Sequence, residues 1–181
     1  LEMKLQGLGE PLLHQHFIDM VQYAAERDIW VRSTVNGSLL HARDNYKRLI
    51  DSGIGEVQTS FDGATKEIFE KIRVKSDFDR VVRNLTQFNE YANTKDRLYT
   101  RMWVVVQKYN RHQIFEFVEL AKQMGFRRMT FSVNLGSWGT DDWAHKTEAL
   151  FADTLTEEEK HQLAEISVRD GIDISLWGTS P

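Results

Sequence analysis

Two glycines and a carboxylate stand together near the start of the chain, at Gly7-Leu8-Gly9-Glu10-Pro11. Glycine permits backbone angles that other residues resist and lets a ligand approach the main chain closely. Proline removes a donor and stops a strand from continuing. Glu10 at such a tip presents a carboxylate that can meet a cation. The same residue types also build ordinary turns between a strand and a helix. The segment taken by itself leaves both readings open.

Polar side chains recur where later strands are expected to end: Ser33, Thr34 and Asn36, then Ser60 and Asp62, then Gln107 and Asn110, then Asn134. Hydroxyl, amide and carboxylate groups on one rim suit a ligand with amino, carboxylate and ribose groups. Asn36-Gly37 and Asp62-Gly63 are each common turn pairs, so the recurrence is the stronger observation. Other catalytic signatures are missing. There is no Gly-x-Ser-x-Gly elbow, and neither a Walker loop nor Gly-x-Gly-x-x-Gly follows a strand. His14 and His16 have no third ligand nearby in sequence, so a solvated helix start is the better reading and no metal ligand is expected.

The elements that must position these groups follow from hydrophobic period. Met3-Lys4-Leu5 reads as a first strand. Leu13, Phe17, Met20, Val21 and Ala24 predict a helix over 13–27. Strands are expected over 29–35, 56–61, 101–106 and 129–133, with helices over 44–52, 68–73, from Phe78 to Phe88 and from Ile114 to Met124. The near-continuous apolar run at 101–106 suits a parallel strand covered on both faces. Thr156-Glu157-Glu158-Glu159 reads as a capping box opening a last helix. Residues 172–177 alternate, as a half-buried or edge strand does. Between them, 135–153 carries Trp138, Trp143 and His145 without helical pattern, as a lid or substrate wall would. Strand and helix in alternation imply an α/β fold with a parallel sheet and right-handed crossovers, whose ligands bind at the C-terminal strand ends.

Composition narrows the class. The 181 residues suffice for one domain with a sizeable core. A net charge of −4 gives no reason to expect nucleic acid, and no apolar run is long enough for a membrane span. There is no cysteine, which excludes disulfides and thiolate-bound metal in this chain. Leu1 is not an initiator methionine, so the chain is expected to be an internal piece of a longer protein, by default cytoplasmic.

The motifs carry a family resemblance over about residues 3–139. Gly7-Leu8-Gly9-Glu10-Pro11-Leu12-Leu13 resembles the Gly-Gly-Glu motif of radical S-adenosylmethionine enzymes of the molybdenum-cofactor-biosynthesis and SPASM type. Ser33-Thr34-Val35-Asn36-Gly37 resembles their Ser-Thr-Asn-Gly strand end, with Val35 as an extra residue. Ser60-Phe61-Asp62-Gly63 resembles their Ser-x-Asp-Gly, and Ile72-Arg73 with Phe78-Asp79-Arg80-Val81 resembles the helix start that follows. The resemblance implies a partial TIM-type (βα) barrel, truncated at its N-terminal strand. Barrel strands 2 to 6 then lie in residues 1–139, and a loop, helix and strand in 140–181 close or extend it. It implies that Gly7, Gly9 and Glu10 receive the amino group of S-adenosylmethionine, with Pro11 fixing the turn. Ser33, Asn36, Ser60 and Asp62 would hold ribose and carboxylate, and Asn134 would lie near the adenine. Arg101 would reach a carboxylate only if it points into the barrel, which is not the expectation.

The Cys-x-x-x-Cys-x-x-Cys loop of that family is absent. A 4Fe-4S cluster is therefore implied for the full-length parent alone, and the chain by itself is expected to be inactive. A small-molecule or peptide substrate and a reductant such as flavodoxin or ferredoxin are implied as partners. The missing βα unit would leave a sheet edge open to self-association. Two rivals stand beside this reading: another barrel enzyme using Glu10 and Asp62 as an acid/base pair, and a cluster-less binding or scaffold domain.

Overall fold

The structure is a computed structural model that describes residues 1–95, 97, 99–133 and 155–178. Strands and helices alternate: β1 Glu2–Lys4, α1 Phe17–Ala25, β2 Trp30–Val35, α2 Asn45–Asp51, β3 Glu56–Ser60, α3 Lys66–Ile72, α4 Phe78–Asn93, β4 Thr100–Val105, α5 Ile114–Gln123, β5 Arg128–Ser132, α6 Glu157–Asp170 and β6 Asp173–Trp177. The strands form one sheet in the order β1-β2-β3-β4-β5-β6, every neighbouring pair parallel. A sequential order with crossovers of one hand keeps all helices on the same face. The sheet is therefore the singly wound arc of a partial TIM-type barrel, with no reversal of strand order of the doubly wound kind.

That winding decides what each strand face meets. Val31, Val57, Met102, Val104, Met129 and Phe131 are fully buried beneath helix residues such as Val21, Leu49, Leu85 and Phe117. The opposite, concave face carries Arg32, Thr34, Gln58, Arg101, Trp103 and Thr130, one residue out of step. β4 corrects the expectation of a strand covered on both faces. Thr100, Met102 and Val104 are buried, whereas Arg101, Trp103 and Val105 stay partly open. β6 joins the same sheet as its last strand, beside β5.

The first helix is shorter than the periodicity predicts. Pro11–Leu13 forms a separate 3-10 turn, capped by the Glu10 side chain, and His14 is extended at φ −79°, ψ 120°. Only from Phe17 does the helix proper run, to Ala25. The cap on Leu12 sets a tight turn before the α-helix begins, which apolar spacing cannot register.

The capping box on α6 forms in full. The Glu159 N–H donates to Thr156 Oγ1 at 3.2 Å, and the Thr156 N–H donates to Glu159 Oε2 at 2.8 Å. Glu159 also takes both terminal nitrogens of Arg111, at 2.9 and 2.5 Å. This fork ties α6 to the 3-10 turn ahead of α5 and holds the Glu159 carboxyl below the ordinary glutamate range. Thr156→Ala is expected to lower stability by about 1 kcal/mol. An unchanged urea midpoint would show that the cap adds nothing to the Arg111 tie.

Candidate active site

The turn after β1 is shaped by its backbone. Gly9 has φ +110°, which L side chains rarely adopt, and no atom lies within 4 Å of where a Cβ would stand on Gly7 or Gly9. The main chain is thus open to close approach at both positions. Pro11 starts the 3-10 turn, where its missing N–H is no loss. Glu10 lies half-buried between two strand tips. Its Oε2 accepts from the Asn36 N–H at 2.7 Å and its Oε1 from the Leu12 N–H at 3.2 Å. Burial pushes the Glu10 carboxyl above the ordinary glutamate range. The two N–H groups and the Arg73 charge pull it down without cancelling that effect. Each carboxylate oxygen carries a second lone pair, so an added ammonium still finds acceptors.

The tip of β2 is organised around Asn36. Its Oδ1 accepts from the Ser38 N–H at 2.9 Å and the Ser38 hydroxyl at 2.6 Å, an Asx-type turn. Its Nδ2 has no partner among the described residues. Ser60, last in β3, stands level with Trp103 on the concave face, and its hydroxyl too has no partner among the described residues. The Gln6 Oε1 is buried beside this rim with no donor among the described residues. Buried polar atoms without partners are rare and ask for an explanation.

Two expected ligand residues sit elsewhere. Ser33 is fully buried on the helix side of β2, with Val31 and Val35, and its hydroxyl donates to the Leu5 carbonyl at 2.7 Å. Strand period puts Thr34, not Ser33, on the concave face. The Asp62 side chain is 7% exposed, and each of its oxygens has a partner: Oδ2 takes Arg73 Nη2 at 2.6 Å and Oδ1 takes the Val105 N–H at 2.8 Å. Asn110 closes the same corner, donating to the carbonyls of Asp62 and Val105 at 3.0 and 2.9 Å. Gly63 must remain glycine, since a Cβ there would stand 2.2 Å from the Phe69 nitrogen. Asp62 thus clasps the tips of β3 and β4. A carboxylate tied in this way is poorly placed to act as the acid or base of a Glu10/Asp62 pair. Asn134, Trp138, Trp143 and His145 lie outside the described residues.

Below the rim, sequence reading missed a polar network on the concave face. Glu56, its side chain 4% exposed, pairs with Arg128 at 2.8 Å and with Arg101 at 3.3 Å, and accepts from Gln58 at 3.0 Å. Arg101 therefore points into the barrel, against expectation, and the carboxylate it meets belongs to the protein. Its Nη1 also donates to Thr130 and Ser175, at 2.9 and 3.2 Å. The available signal was alternation: Arg32, Thr34, Glu56, Gln58 and Arg101 are polar residues at every second position, in step opposite Val31, Val57 and Met102. His14 and His16 stand exposed, with His16 Nδ1 3.1 Å from Asp19. Among the described residues no three His, Asp or Glu side chains are grouped to hold a metal ion, and no helix is long and apolar enough to cross a membrane.

A parallel arc with its helices outside and a polar rim at the C-terminal strand ends defines a partial (βα) barrel, a fold whose ligands bind at that end of the strands. The chain belongs to the radical SAM superfamily, whose family model matches residues 4–121. It is 30% identical over 137 residues to the mycofactocin maturase MftC of Mycolicibacterium smegmatis, covering 76% of this chain and 34% of that protein. It is 30% identical over 126 residues to a probable GTP 3′,8-cyclase of Saccharolobus islandicus, covering 68% of this chain and 38% of that protein. The fold is that of Streptococcus suis SuiB bound to its precursor peptide SuiA, with a TM-score of 0.71 at 17% identity over 98% of this chain and 38% of that one. SuiB bound to S-adenosylmethionine gives the same TM-score, at 16% identity over 97% and 38%. The chain thus spans about a third of the length of the curated relatives it matches.

Proposed function

We propose that this chain is the S-adenosylmethionine-binding core of a radical S-adenosylmethionine enzyme that modifies a peptide. The observation that carries the proposal is Glu10: a carboxylate held at an open glycine turn by two backbone N–H groups, with lone pairs left to accept an ammonium. The atoms around it that have no partner among the described residues fit the same ligand. Asn36 Nδ2 and the Ser60 hydroxyl offer donors suited to a carboxylate or ribose, and Gln6 Oε1 offers an acceptor. Gly7, Gly9 and Pro11 hold the turn open, and Asn134 is assigned to the adenine. Ser33 and Asp62 act indirectly, fixing β1 to β2 and β3 to β4 so that the rim keeps its shape.

Held at this rim by Gly7, Gly9, Glu10, Asn36 and Ser60, S-adenosylmethionine would supply radical chemistry for taking a hydrogen atom from substrate, given one electron from the parent's reduced cluster and with methionine as the leaving group. The chain has no cysteine, so its own residues do not fit a thiolate-held 4Fe-4S cluster, and the cluster is assigned to the rest of the parent protein. A flavodoxin or ferredoxin is the proposed reductant. The peptide-bound SuiB neighbour and the maturase relative support a peptide substrate.

The test is anaerobic reconstitution of the full-length protein with iron and sulfide, addition of S-adenosylmethionine and dithionite, and mass spectrometry for 5′-deoxyadenosine. Its formation, lowered by Glu10→Ala at subsaturating S-adenosylmethionine, is the expected result. A reconstituted protein that binds iron but releases no 5′-deoxyadenosine overturns the proposal.

A further inference from the structure

The concave face above the Glu56 network has features that the cofactor rim does not use. Trp103, Thr130 and Ser175 stand level across β4, β5 and β6, and Trp177 stands level with Ser132 two residues nearer the mouth. The Trp103 and Trp177 rings lie 5.9 Å apart, inclined at 54°. Trp177 is 57% exposed, although an indole gains most by burial. The pair forms an oblique aromatic wall with one open side.

At its foot lies a guanidinium with an unused donor. Arg101 Nε faces Glu56, and Nη1 serves Thr130 and Ser175, whose hydroxyls also bond each other at 2.7 Å. Its Nη2 has no partner among the described residues. Among the described residues this face carries four cations, Lys4, Arg32, Arg101 and Arg128, and three carboxylates, Glu2, Glu56 and Asp173. Glu56 is held more closely by Arg128, at 2.8 Å, than by Arg101, at 3.3 Å. Among the described residues the other carboxylates at this end, Glu2 and Asp173, are exposed and face Arg32 and Arg128. Lys4 and Arg32 lie level with Glu56 and add further positive charge. Arg101 is the cation of this set that reaches farthest toward the mouth.

We propose that Trp103, Trp177, Arg101, Thr130 and Ser175 form a substrate subsite for an aromatic group bearing a carboxylate. The ring lies against the two indoles, and the carboxylate accepts from Arg101 Nη2 with the Thr130–Ser175 hydroxyl pair beside it. This rests on the proposed function, to which it adds the chemistry of the substrate side chain. Stacking on the indoles admits any planar ring, whereas the guanidinium selects for the anion.

The probe is phenylacetate, titrated by calorimetry into the full-length protein without S-adenosylmethionine and compared with phenylacetamide and acetate. Phenylacetate is expected to bind about tenfold tighter than phenylacetamide, the scale of one charge-assisted hydrogen bond, and acetate not measurably. Trp177→Ala and Ser175→Ala, both on the edge strand, are expected to weaken phenylacetate several-fold. Arg101→Lys keeps a cation for Glu56 and is expected to erase the preference over phenylacetamide. S-adenosylmethionine affinity, titrated in the same variants, should not change. Absent phenylacetate binding, equal binding of phenylacetamide, or indifference to both edge-strand variants overturns the subsite. A loss of S-adenosylmethionine affinity in those variants assigns the face to the cofactor and overturns it too. Failure of the wild-type protein to bind S-adenosylmethionine while still preferring phenylacetate overturns the proposed function alone.

Discussion

Glu56→Ala is expected to lower stability by about 3–5 kcal/mol, the scale seen when one member of a buried ion pair is removed. The loss is large because Glu56 is the buried counter-charge for two guanidiniums at once, Arg128 at 2.8 Å and Arg101 at 3.3 Å. Gln58 also loses its acceptor. A loss of this size is a large fraction of the roughly 5–15 kcal/mol that keeps a domain folded. Glu56→Gln is isosteric, retains an acceptor and should lose less. Urea unfolding of the full-length protein, followed by tryptophan fluorescence, reads the effect directly. An unchanged midpoint in Glu56→Ala would mean that solvent already screens the network.

Glu10→Ala is expected to weaken S-adenosylmethionine binding by at least about tenfold, the scale of one hydrogen bond to a charged group. Calorimetric titration of the reconstituted protein measures it, and an unchanged dissociation constant would remove Glu10 from the cofactor's contacts. The substitution should also destabilise the fold. The N–H groups of Asn36 and Leu12 both lose their acceptor, at about 1–3 kcal/mol each if left unsatisfied. The pH dependence follows from burial, which raises the Glu10 pKa. An ammonium needs the ionised carboxylate, so affinity should fall with falling pH earlier than an ordinary glutamate would allow. Stability runs the other way. A carboxyl with a raised folded-state pKa contributes fully below the ordinary glutamate value and loses that contribution as pH rises through the raised one. Glu10→Gln should flatten both dependences.

The sequence carried the elements and their order because period and turn residues are local properties. Val31, Val57 and Met102 announce strands by type, and Gly53 and Gly125 mark helix ends. Sequential βα units then allow few topologies, since right-handed crossovers place every helix on one face. The Gly7-to-Pro11 turn was legible for the same reason, because a glycine turn, a carboxylate and a proline are consecutive in the chain. The Thr156–Glu159 capping box likewise spans a single helical turn.

Tertiary structure decided which of these residues are free to bind. Ser33 and Thr34 are adjacent and both hydroxylated, yet the pleat turns one toward the helices and the other toward the lumen. Asp62 and Glu10 are both carboxylates near strand tips. Only the fold buries Asp62 against Arg73 and the Val105 N–H and leaves Glu10 partly open. The Glu56–Arg101–Arg128 network joins residues up to 72 positions apart, and the contact of Arg101 with Ser175 spans 74. Charge pairing at such separation has no local signature. It arises because parallel pairing sets β3, β4, β5 and β6 side by side and the sheet turns their polar faces inward together.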